Sequence, residues 1–156
     1  MIIVKADASD LKAILELQYL SYQSEAISVN DFTIQPLTQT FIEIEQEYAQ
    51  CVFLKAQDED GTIIGSVRAY NENNTTHVCK LFVHPERQGQ HIGEKLLLAV
   101  EQECPAKRYE LFTSDKNRRS IRLYERVGYV EFQKQKASDK LTFAFFEKYA
   151  RGTPCP

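Results

Sequence analysis

The segment HPERQGQHIGEKLLL, residues 84–98, joins a predicted strand to a predicted helix and has the residue types of an anion-binding turn. Gly89 and Gly93 allow a ligand to approach the backbone closely. Arg87 and Gln88 add side-chain hydrogen-bond donors. A helix begins with unpaired N–H groups and a partial positive charge, so a loop of this kind can surround a phosphate. An ordinary strand-to-helix turn would explain the same two glycines, and the segment alone leaves both interpretations open.

The elements that must position this segment form one predicted α/β domain. Hydrophobic periodicity predicts seven strands, at residues 2–6, 51–57, 62–70, 77–83, 108–113, 129–134 and 141–148. It predicts four helices, at about residues 11–19, 37–49, 90–103 and 120–127, and a loop at residues 22–36. The last helix should end at Gly128 in a left-handed conformation. We therefore expect an α/β (α+β) fold with a mixed, mostly antiparallel sheet of about six or seven strands flanked by four helices.

The bulk properties of the chain narrow the class of protein. Its 156 residues are typical of one domain, and a hydrophobic content of 43% is enough for a core. The net charge of −3 argues against a broad nucleic-acid surface. No CxxC spacing relates Cys51, Cys79, Cys104 and Cys155, so we expect free thiols and no metal site. The N-terminus lacks a signal-peptide core and no apolar run reaches membrane-spanning length, so we expect a cytoplasmic protein.

Two motifs follow each other in this chain, with one predicted strand between them. The first, residues 81–101, contains LFVHPE, then QGQHIG, then EKLLLAVE. The second is NRRSIRLYERVGY, residues 117–129. Together they resemble the motifs of the GNAT superfamily of acyl-CoA N-acyltransferases, and the element order resembles that family over nearly the whole chain. The resemblance implies a single GNAT-like N-acetyltransferase domain at residues 1–148, followed by a C-terminal tail at residues 149–156.

One position of the first motif departs from the family pattern, which usually has glycine where this chain has His91. If His91 has ordinary helical backbone angles, its side chain is tolerated and points outward. It could then donate a hydrogen bond to a phosphate of CoA, or it could simply be solvated. If the position instead needs a positive φ, we expect the affinity for the cofactor to suffer.

The resemblance implies that acetyl-CoA is the co-substrate, that no metal takes part, and that an amine attacks the thioester carbonyl directly in a ternary complex. The strand before the loop would diverge from its neighbour and bind the pantetheine arm through its backbone. The pyrophosphate would lie over residues 88–93. The implied cofactor-binding residues are Leu81, Phe82, Val83, Gln88, Gly89, Gln90, His91, Ile92, Gly93, Asn117 and Tyr124.

Tyr124 matches the family tyrosine that often protonates the departing CoA thiolate, and it is the candidate catalytic residue. A phenol with a pKa of about 10 can donate to a thiolate whose conjugate acid has a pKa of about 8.5. Asn117 matches the family asparagine that contacts the cofactor arm, and it lies two helical turns before Tyr124 on the same face. The alternatives are a core aromatic for Tyr124 and a helix cap for Asn117.

No motif identifies the group that takes the proton from the acceptor amine. The candidates are Glu25, Asp31, His77 and an ordered water molecule. The loop that carries Glu25 and Asp31 also carries Tyr22 and Phe32, and aromatic and acidic side chains suit a cationic amine. We therefore expect a substrate site formed by Tyr22, Glu25, Asp31, Phe32 and His77.

The acceptor expected from the sequence is a primary amine on a small molecule, because the chain is one minimal domain. The alternatives are a protein or peptide N-acetyltransferase, an acyl-CoA sensor without turnover, and a structural domain without a cofactor. We expect neither a nucleic-acid nor a membrane partner. The apolar segment LTFAFF, residues 141–146, could support a homodimer or form a core strand.

Overall fold

The computed structural model describes residues 1–152, so Cys155 and the last part of the predicted tail lie outside the described residues. The strands are β1 (Ile2–Lys5), β2 (Val52–Gln57), β3 (Ile63–Glu72), β4 (Thr75–Val83), β5 (Arg108–Ser114), β6 (Val130–Lys136) and β7 (Thr142–Tyr149). They form one sheet in the order β1-β2-β3-β4-β5-β7-β6. Neighbouring strands are antiparallel except β4 and β5, which are parallel. The mixed, mostly antiparallel sheet confirms the expected fold class.

The helices are α1 (Leu11–Ser21), α2 (Gln23–Val29), α3 (Gln35–Thr38), α4 (Phe41–Tyr48), α5 (Ile92–Glu103) and α6 (Arg118–Val127). Short 3₁₀ turns precede α1 and the α5 loop, at Ala8–Asp10 and Pro85–Arg87. As predicted, α6 ends at Gly128, which has a φ of +103°. In the described part of the chain, no helix is both long and apolar enough to span a bilayer.

The prediction of a loop at residues 22–36 was wrong, because this region contains α2 and the start of α3. Ala26 and Val29 lie on one face of α2 and pack with Ile34 in a small apolar cluster. Burial of three apolar side chains stabilises a helix whose polar sequence does not signal one. Asn30, with a φ of +52°, ends it.

The helix predicted at residues 37–49 begins only at Phe41, because Thr40 caps it. The Glu43 N–H donates to Thr40 Oγ1 at 3.2 Å, and the Thr40 N–H donates to Glu43 Oε1 at 2.9 Å. This reciprocal pair is a capping box, which fixes the first residue of α4 more strongly than the apolar period does.

Helices cover both faces of the sheet, which gives three layers. Leu96, Leu97 and Val100 of α5 are buried against Val67 and Leu111 of the sheet. On the opposite face, α1 and α4 pack against the sheet through a second cluster that contains Leu11, Ile14, Leu15, Ile44, Phe53 and Phe82. The sheet is thus held rigid from both sides, and openings in it are positioned by the core.

The parallel strands β4 and β5 separate soon after they meet. They pair only at Thr75 with Arg108, Thr76 with Tyr109, and His77 with Glu110. A β-bulge at Cys79 adds to this irregularity, since Lys80 pairs with Arg68 but Val78 pairs with Ala69. The second half of β4 therefore has no strand partner on its β5 side, and a gap opens in the sheet.

The segment LTFAFF lies mostly in β7, which pairs with β5 on one side and with β6 on the other. It is therefore an internal strand, the second of the two alternatives that the sequence left open. Strand β6 forms one edge of the sheet, opposite β1, and its side chains are exposed along its whole length.

Candidate active site

In the turn between β4 and α5, two residues of QGQHIG have the positive φ that glycine adopts most easily. Gly89 has a φ of +80°, and an added Cβ there would meet no atom within 4 Å. His91 has a φ of +62° and a ψ of +18°, and it is the N-cap of α5. Histidine is one of the few larger residues that enter the left-handed region with some frequency. Of the two cases that the sequence left open for His91, the structure therefore shows the positive φ.

The imidazole of His91 is largely exposed, and its Nδ1 lies 3.4 Å from Glu94 Oε2. Gly93 is needed for packing, since an added Cβ would lie 3.2 Å from Leu123 Cδ2 and 3.8 Å from Val83 Cγ2. At 3.2 Å the neighbour would have to move, so Gly93 sets how closely α5 approaches α6.

A cleft of about 750 Å³ lies beside this turn, between the end of β4, α2 and the first half of α6. It is lined by residues 87–94 apart from Gln90, by Leu81, Phe82 and Val83, and by four arginines, Arg87, Arg119, Arg122 and Arg126. Arg119 donates to the Gln88 side-chain oxygen, and Arg126 Nε lies 4.0 Å from Glu94. A glycine turn at a helix N-terminus, surrounded by guanidinium groups, fits the phosphates of a CoA ester.

The α6 arginines were missed in the sequence, although a signal was present. Arg119, Arg122 and Arg126 are spaced by three and four residues, which places them on one helix face. This spacing, on the helix that also carries Tyr124, would have predicted a row of positively charged side chains facing the turn.

The free side of β4 forms another wall of the same cleft. Leu81 and Val83 are half-buried and Phe82 is buried, and all three line the cleft where β4 lacks a strand partner. The Val83 carbonyl accepts hydrogen bonds from Gln88 Nε2 at 3.4 Å and Ser21 Oγ at 3.3 Å. These long bonds leave the strand edge available to an extended ligand.

A second cavity, of about 680 Å³, lies beside the gap between β4 and β5. Its lining is largely aromatic and aliphatic, and it includes Tyr70, Phe112, Phe143 and Phe145. Tyr22, Leu81, Asn117 and Ser120 line both this cavity and the cleft. The two spaces therefore meet where β4 and β5 diverge.

Tyr124 lies in the wall of the second cavity, one helical turn after Ser120, which lines both spaces, and 6% of its surface is exposed. Its ring centroid is 5.7 Å from that of Phe146. Burial raises the pKa of the Tyr124 phenol, and a hydrogen bond with Ser120 partly opposes this shift. Asn117 caps α6, because its Oδ1 accepts from the Ser120 N–H at 3.2 Å, and it also lines both spaces.

The structure brings together two of the five expected substrate residues and Tyr124. Tyr22 lines both spaces, and Glu25 lines the cleft. Burial raises the pKa of Glu25, and a hydrogen bond from the Ser114 backbone partly opposes it. Burial likewise raises the pKa of Tyr22, and the Glu25 charge adds to the shift. The Glu25 charge also raises the pKa of Tyr124, so ionisation of the carboxyl group affects both phenols.

The other three expected substrate residues have different surroundings. Asp31 Oδ1 accepts from the Thr33 N–H at 2.8 Å and from Thr33 Oγ1 at 2.6 Å, so it shapes a turn. Phe32 is 53% exposed, and neither residue lines the cleft or the cavity. His77 lines the cavity, where its ring stacks on Tyr70 and its Nδ1 lies 3.5 Å from Glu110.

Two of the cysteines lie next to each other although 28 residues separate them in the sequence. The Sγ atoms of Cys51 and Cys79 and a carboxylate oxygen of Glu47 all lie within 4.8 Å of one another. The thiols of Cys51, Cys79 and Cys104 are free, as expected. The hydrogen bond to Cys51 raises the pKa of Cys79, and burial adds to this, so the thiol that lines the cavity is protonated at neutral pH.

This arrangement of turn, diverging strands and two meeting spaces agrees with a match to known proteins. A sequence model of the acetyltransferase (GNAT) family matches residues 11–129. The chain therefore belongs to the GNAT family, the class of acyl-CoA-dependent N-acetyltransferases that use acetyl-CoA as co-substrate without a metal.

Particular relatives resemble the chain over most of its length. It is 23% identical over 146 residues, or 93% of its length, to the UPF0157 protein YqkA of Bacillus subtilis (strain 168), and it spans 42% of the length of that curated relative. The PaiA N-acetyltransferase of Thermoplasma acidophilum, solved with coenzyme A, shares 19% identity and a TM-score of 0.75, with 96% of this chain and 98% of that chain covered. The YncA structure from Salmonella typhimurium, solved with acetyl-CoA, shares 22% identity and a TM-score of 0.73, with 100% and 97% covered. At these identities the solved structures show a shared fold.

Proposed function

We propose that this protein transfers the acetyl group of acetyl-CoA to a primary amine on a small molecule, by direct attack in a ternary complex. The observation that carries this proposal is the junction of the cleft and the cavity at Tyr22, Leu81, Asn117 and Ser120. A CoA ester in the cleft and an amine in the cavity would meet there without leaving the protein. Holding two reactants in this way converts a bimolecular step into an effectively unimolecular one.

The cleft residues would hold acetyl-CoA by three kinds of contact. Residues 88–93 would offer backbone N–H groups to the pyrophosphate, and the arginines of α6 would add charge-assisted hydrogen bonds. Leu81, Phe82 and Val83 would pair with the pantetheine arm through their backbone. Bound acetyl-CoA supplies a thioester carbonyl that an amine nitrogen can attack.

Glu25 is the proposed general base. An amine arrives protonated near pH 7 and must lose a proton before its nitrogen can form the new C–N bond. Glu25 is the carboxylate whose charge reaches both Tyr22 and Tyr124, and its raised pKa makes it a stronger proton acceptor than an exposed glutamate. Of the candidates from the sequence, Asp31 lies outside both spaces and His77 is engaged with Glu110.

Tyr124 is the proposed general acid. As the C–N bond forms and the C–S bond breaks, the sulfur takes up the electron pair and the Tyr124 hydroxyl donates its proton to it. The raised pKa keeps this phenol protonated throughout the pH range in which an amine is nucleophilic. Cys79 faces the cavity as a protonated thiol, so direct transfer is favoured over an acyl-cysteine route.

Two features favour a small acceptor over a peptide. Residues 34–36, next to and in α3, wall the cavity on one side, and Phe143 and Phe145 of β7 wall it on another. Such a pocket suits a compact molecule, whereas an extended peptide needs an open groove. We also propose a cytoplasmic location, because free thiols are typical of a reducing compartment. A homodimer formed by sheet edges would use β1 or β6, since β7 is internal.

The test combines binding and turnover. Acetyl-CoA is titrated into the protein by calorimetry, and thiol release is then followed with amino acids, polyamines, aminoglycosides and short peptides. Binding with amine-dependent thiol release supports the proposal. Tight binding without turnover of any amine would indicate an acyl-CoA sensor, and an absence of binding would contradict the proposed activity altogether.

A further inference from the structure

Lys80 has a largely buried side chain in the wall of the acceptor cavity, and its ammonium group pairs with no anion in the part of the chain that the structure describes. It lies on β4 with 9% of its surface exposed, and it lines the cavity. Within residues 1–152, no hydrogen bond or ion pair reaches its ammonium group. Lys55, equally buried at 8%, lies 2.7 Å from Asp10, and Lys148 lies 2.7 Å from Glu101. Among the described residues, Arg68 Nε is the sealed side-chain nitrogen that lacks a hydrogen bond, whereas the Lys80 ammonium keeps some exposure beside the cavity. A charge on a largely buried side chain is normally paired, so an anion bound in the cavity is the partner that Lys80 lacks.

The charges around Lys80 do not balance it. Its partner across the ladder is Arg68, which is fully buried. Arg68 Nη1 lies 2.6 Å from Glu47 Oε1, and Gln39 Nε2 donates to the same oxygen at 2.8 Å. Arg68 and Lys80 thus contribute two positive charges against the single carboxylate of Glu47. Burial lowers the pKa of Lys80, and Glu47 only partly opposes this.

Glu110, the carboxylate that lines the cavity, is already engaged. Glu110 Oε1 accepts from Arg108 at 2.8 Å, and Glu110 Oε2 lies 3.5 Å from His77 Nδ1. The thiol of Cys79 donates to Cys51 and stays protonated. The wall therefore offers Lys80 no anion of its own.

The rest of the cavity has an apolar surface suited to a ring or a branched chain. Phe112 and Phe143 meet edge to face at 4.8 Å between centroids, and Phe145 lies 5.1 Å from Phe112. Phe112 is 43% exposed, so its ring has free surface to offer. Tyr22 lines the cleft together with Glu25 and the cavity together with Lys80, so it connects the proposed base with the Lys80 region.

We propose that the acceptor is an amino-acid-like zwitterion with a large apolar side chain, and that Lys80 binds its carboxylate. The amine would point toward Glu25 and Tyr124 at the junction with the cleft, and the side chain would pack against the phenylalanine cluster. The inference rests on the N-acetyltransferase function proposed above and specifies its acceptor. Lys80 is then the residue that selects anionic acceptors over amines of similar shape, because an amine without a carboxylate leaves the ammonium without an anion.

A matched pair of amines tests this inference. L-phenylalanine and 2-phenylethylamine have the same ring and a primary amine, and they differ by the carboxylate. The wild type should acetylate L-phenylalanine with a kcat/KM about 10- to 100-fold higher, the value of one charged hydrogen bond. Lys80→Gln should abolish that preference, and Lys80→Arg should restore part of it. Lys134→Gln removes the same charge from the exposed strand β6 and should leave the preference unchanged.

A binding measurement keeps the test independent of turnover. Calorimetry in the presence of CoA should show 3-phenylpropanoate bound by the wild type and at least about tenfold more weakly by Lys80→Gln. Thermal unfolding should show Lys80→Gln no less stable than the wild type, since the positive charge of a largely buried side chain opposite Arg68 is removed. Equal or faster acetylation of 2-phenylethylamine would overturn the inference while the N-acetyltransferase function stands. If no amine is acetylated, 3-phenylpropanoate binding that depends on Lys80 still supports Lys80 as a carboxylate-binding residue. If that binding is absent too, this role of Lys80 is overturned as well.

Discussion

The substitution Tyr124→Phe removes one hydroxyl from the junction of the two spaces and leaves the ring in place. The ring packs between Phe146, at 5.7 Å, and Tyr129, at 6.3 Å between centroids, and phenylalanine retains both contacts. Tyr124 lines the cavity, and loss of its hydroxyl should cost at most about 1.5 kcal/mol of folding stability, the value of one neutral hydrogen bond. We therefore expect a folded variant with a slightly lower melting temperature.

The effect on catalysis should be much larger than the effect on stability. A general acid contributes about 10²- to 10⁴-fold to a rate, which corresponds to roughly 3–5 kcal/mol of barrier. Thiol release at saturating acetyl-CoA should fall by that factor. The acetyl-CoA dissociation constant from calorimetry should change by less than about threefold, because phosphate contacts carry most of the affinity and Tyr124 does not touch them.

Tyr129→Phe is the matched control. Tyr129 is also a buried tyrosine, and its hydroxyl donates to Glu101 Oε2 at 2.7 Å, but it lines neither the cleft nor the cavity. Loss of a hydrogen bond to a charged group should cost about 1.5–3 kcal/mol of stability with little change in turnover. If Tyr124→Phe weakens acetyl-CoA binding and leaves the catalytic step unchanged, Tyr124 is not the acid.

Further predictions concern the proposed base and the turn. Glu25→Gln should slow thiol release strongly and remove the acid limb of the pH–rate profile. In the wild type, the midpoint of this limb should lie above the ordinary pKa of glutamate, because burial raises the pKa of Glu25. If the limb is unchanged in the variant, another group is the base. Folding raises the pKa of Glu25, so the folded protein loses stability as the pH rises through the pKa that Glu25 has in the folded state. Chemical unfolding should therefore find Glu25→Gln more stable than the wild type at pH 8 and equally stable in acid. His91→Gly should raise acetyl-CoA affinity, since glycine lets a phosphate approach the turn backbone with no Cβ in the way. Weaker binding by calorimetry would instead identify the imidazole as a phosphate ligand.

The two motifs were predictable from the sequence because local constraints define them. Gly89 must take a positive φ, Gly93 must let α5 approach α6, and Asn117 must cap α6, and each requirement selects a residue type at one position. The strands followed from hydrophobic alternation for the same reason.

What the sequence did not predict depends on contacts between distant segments. Helix α2 is stabilised by Ile34, and Glu25 was only one base candidate among several until α2 placed it beside Tyr22 and Tyr124. Within residues 1–152 the Lys80 ammonium has no anionic partner, and no residue type or spacing in the sequence signals that. Tertiary placement decides such features, so only a structure reveals them.

The most direct test of transfer across the sheet gap is a two-substrate initial-rate measurement with acetyl-CoA and the most active amine of the panel. Direct attack requires both substrates to be bound at once, so double-reciprocal plots should intersect, and mass spectrometry of the protein with acetyl-CoA alone should show no acetylated residue on the pathway. Parallel plots, together with an acetylated protein that passes its acetyl group to the amine, would contradict direct transfer between the cleft and the cavity.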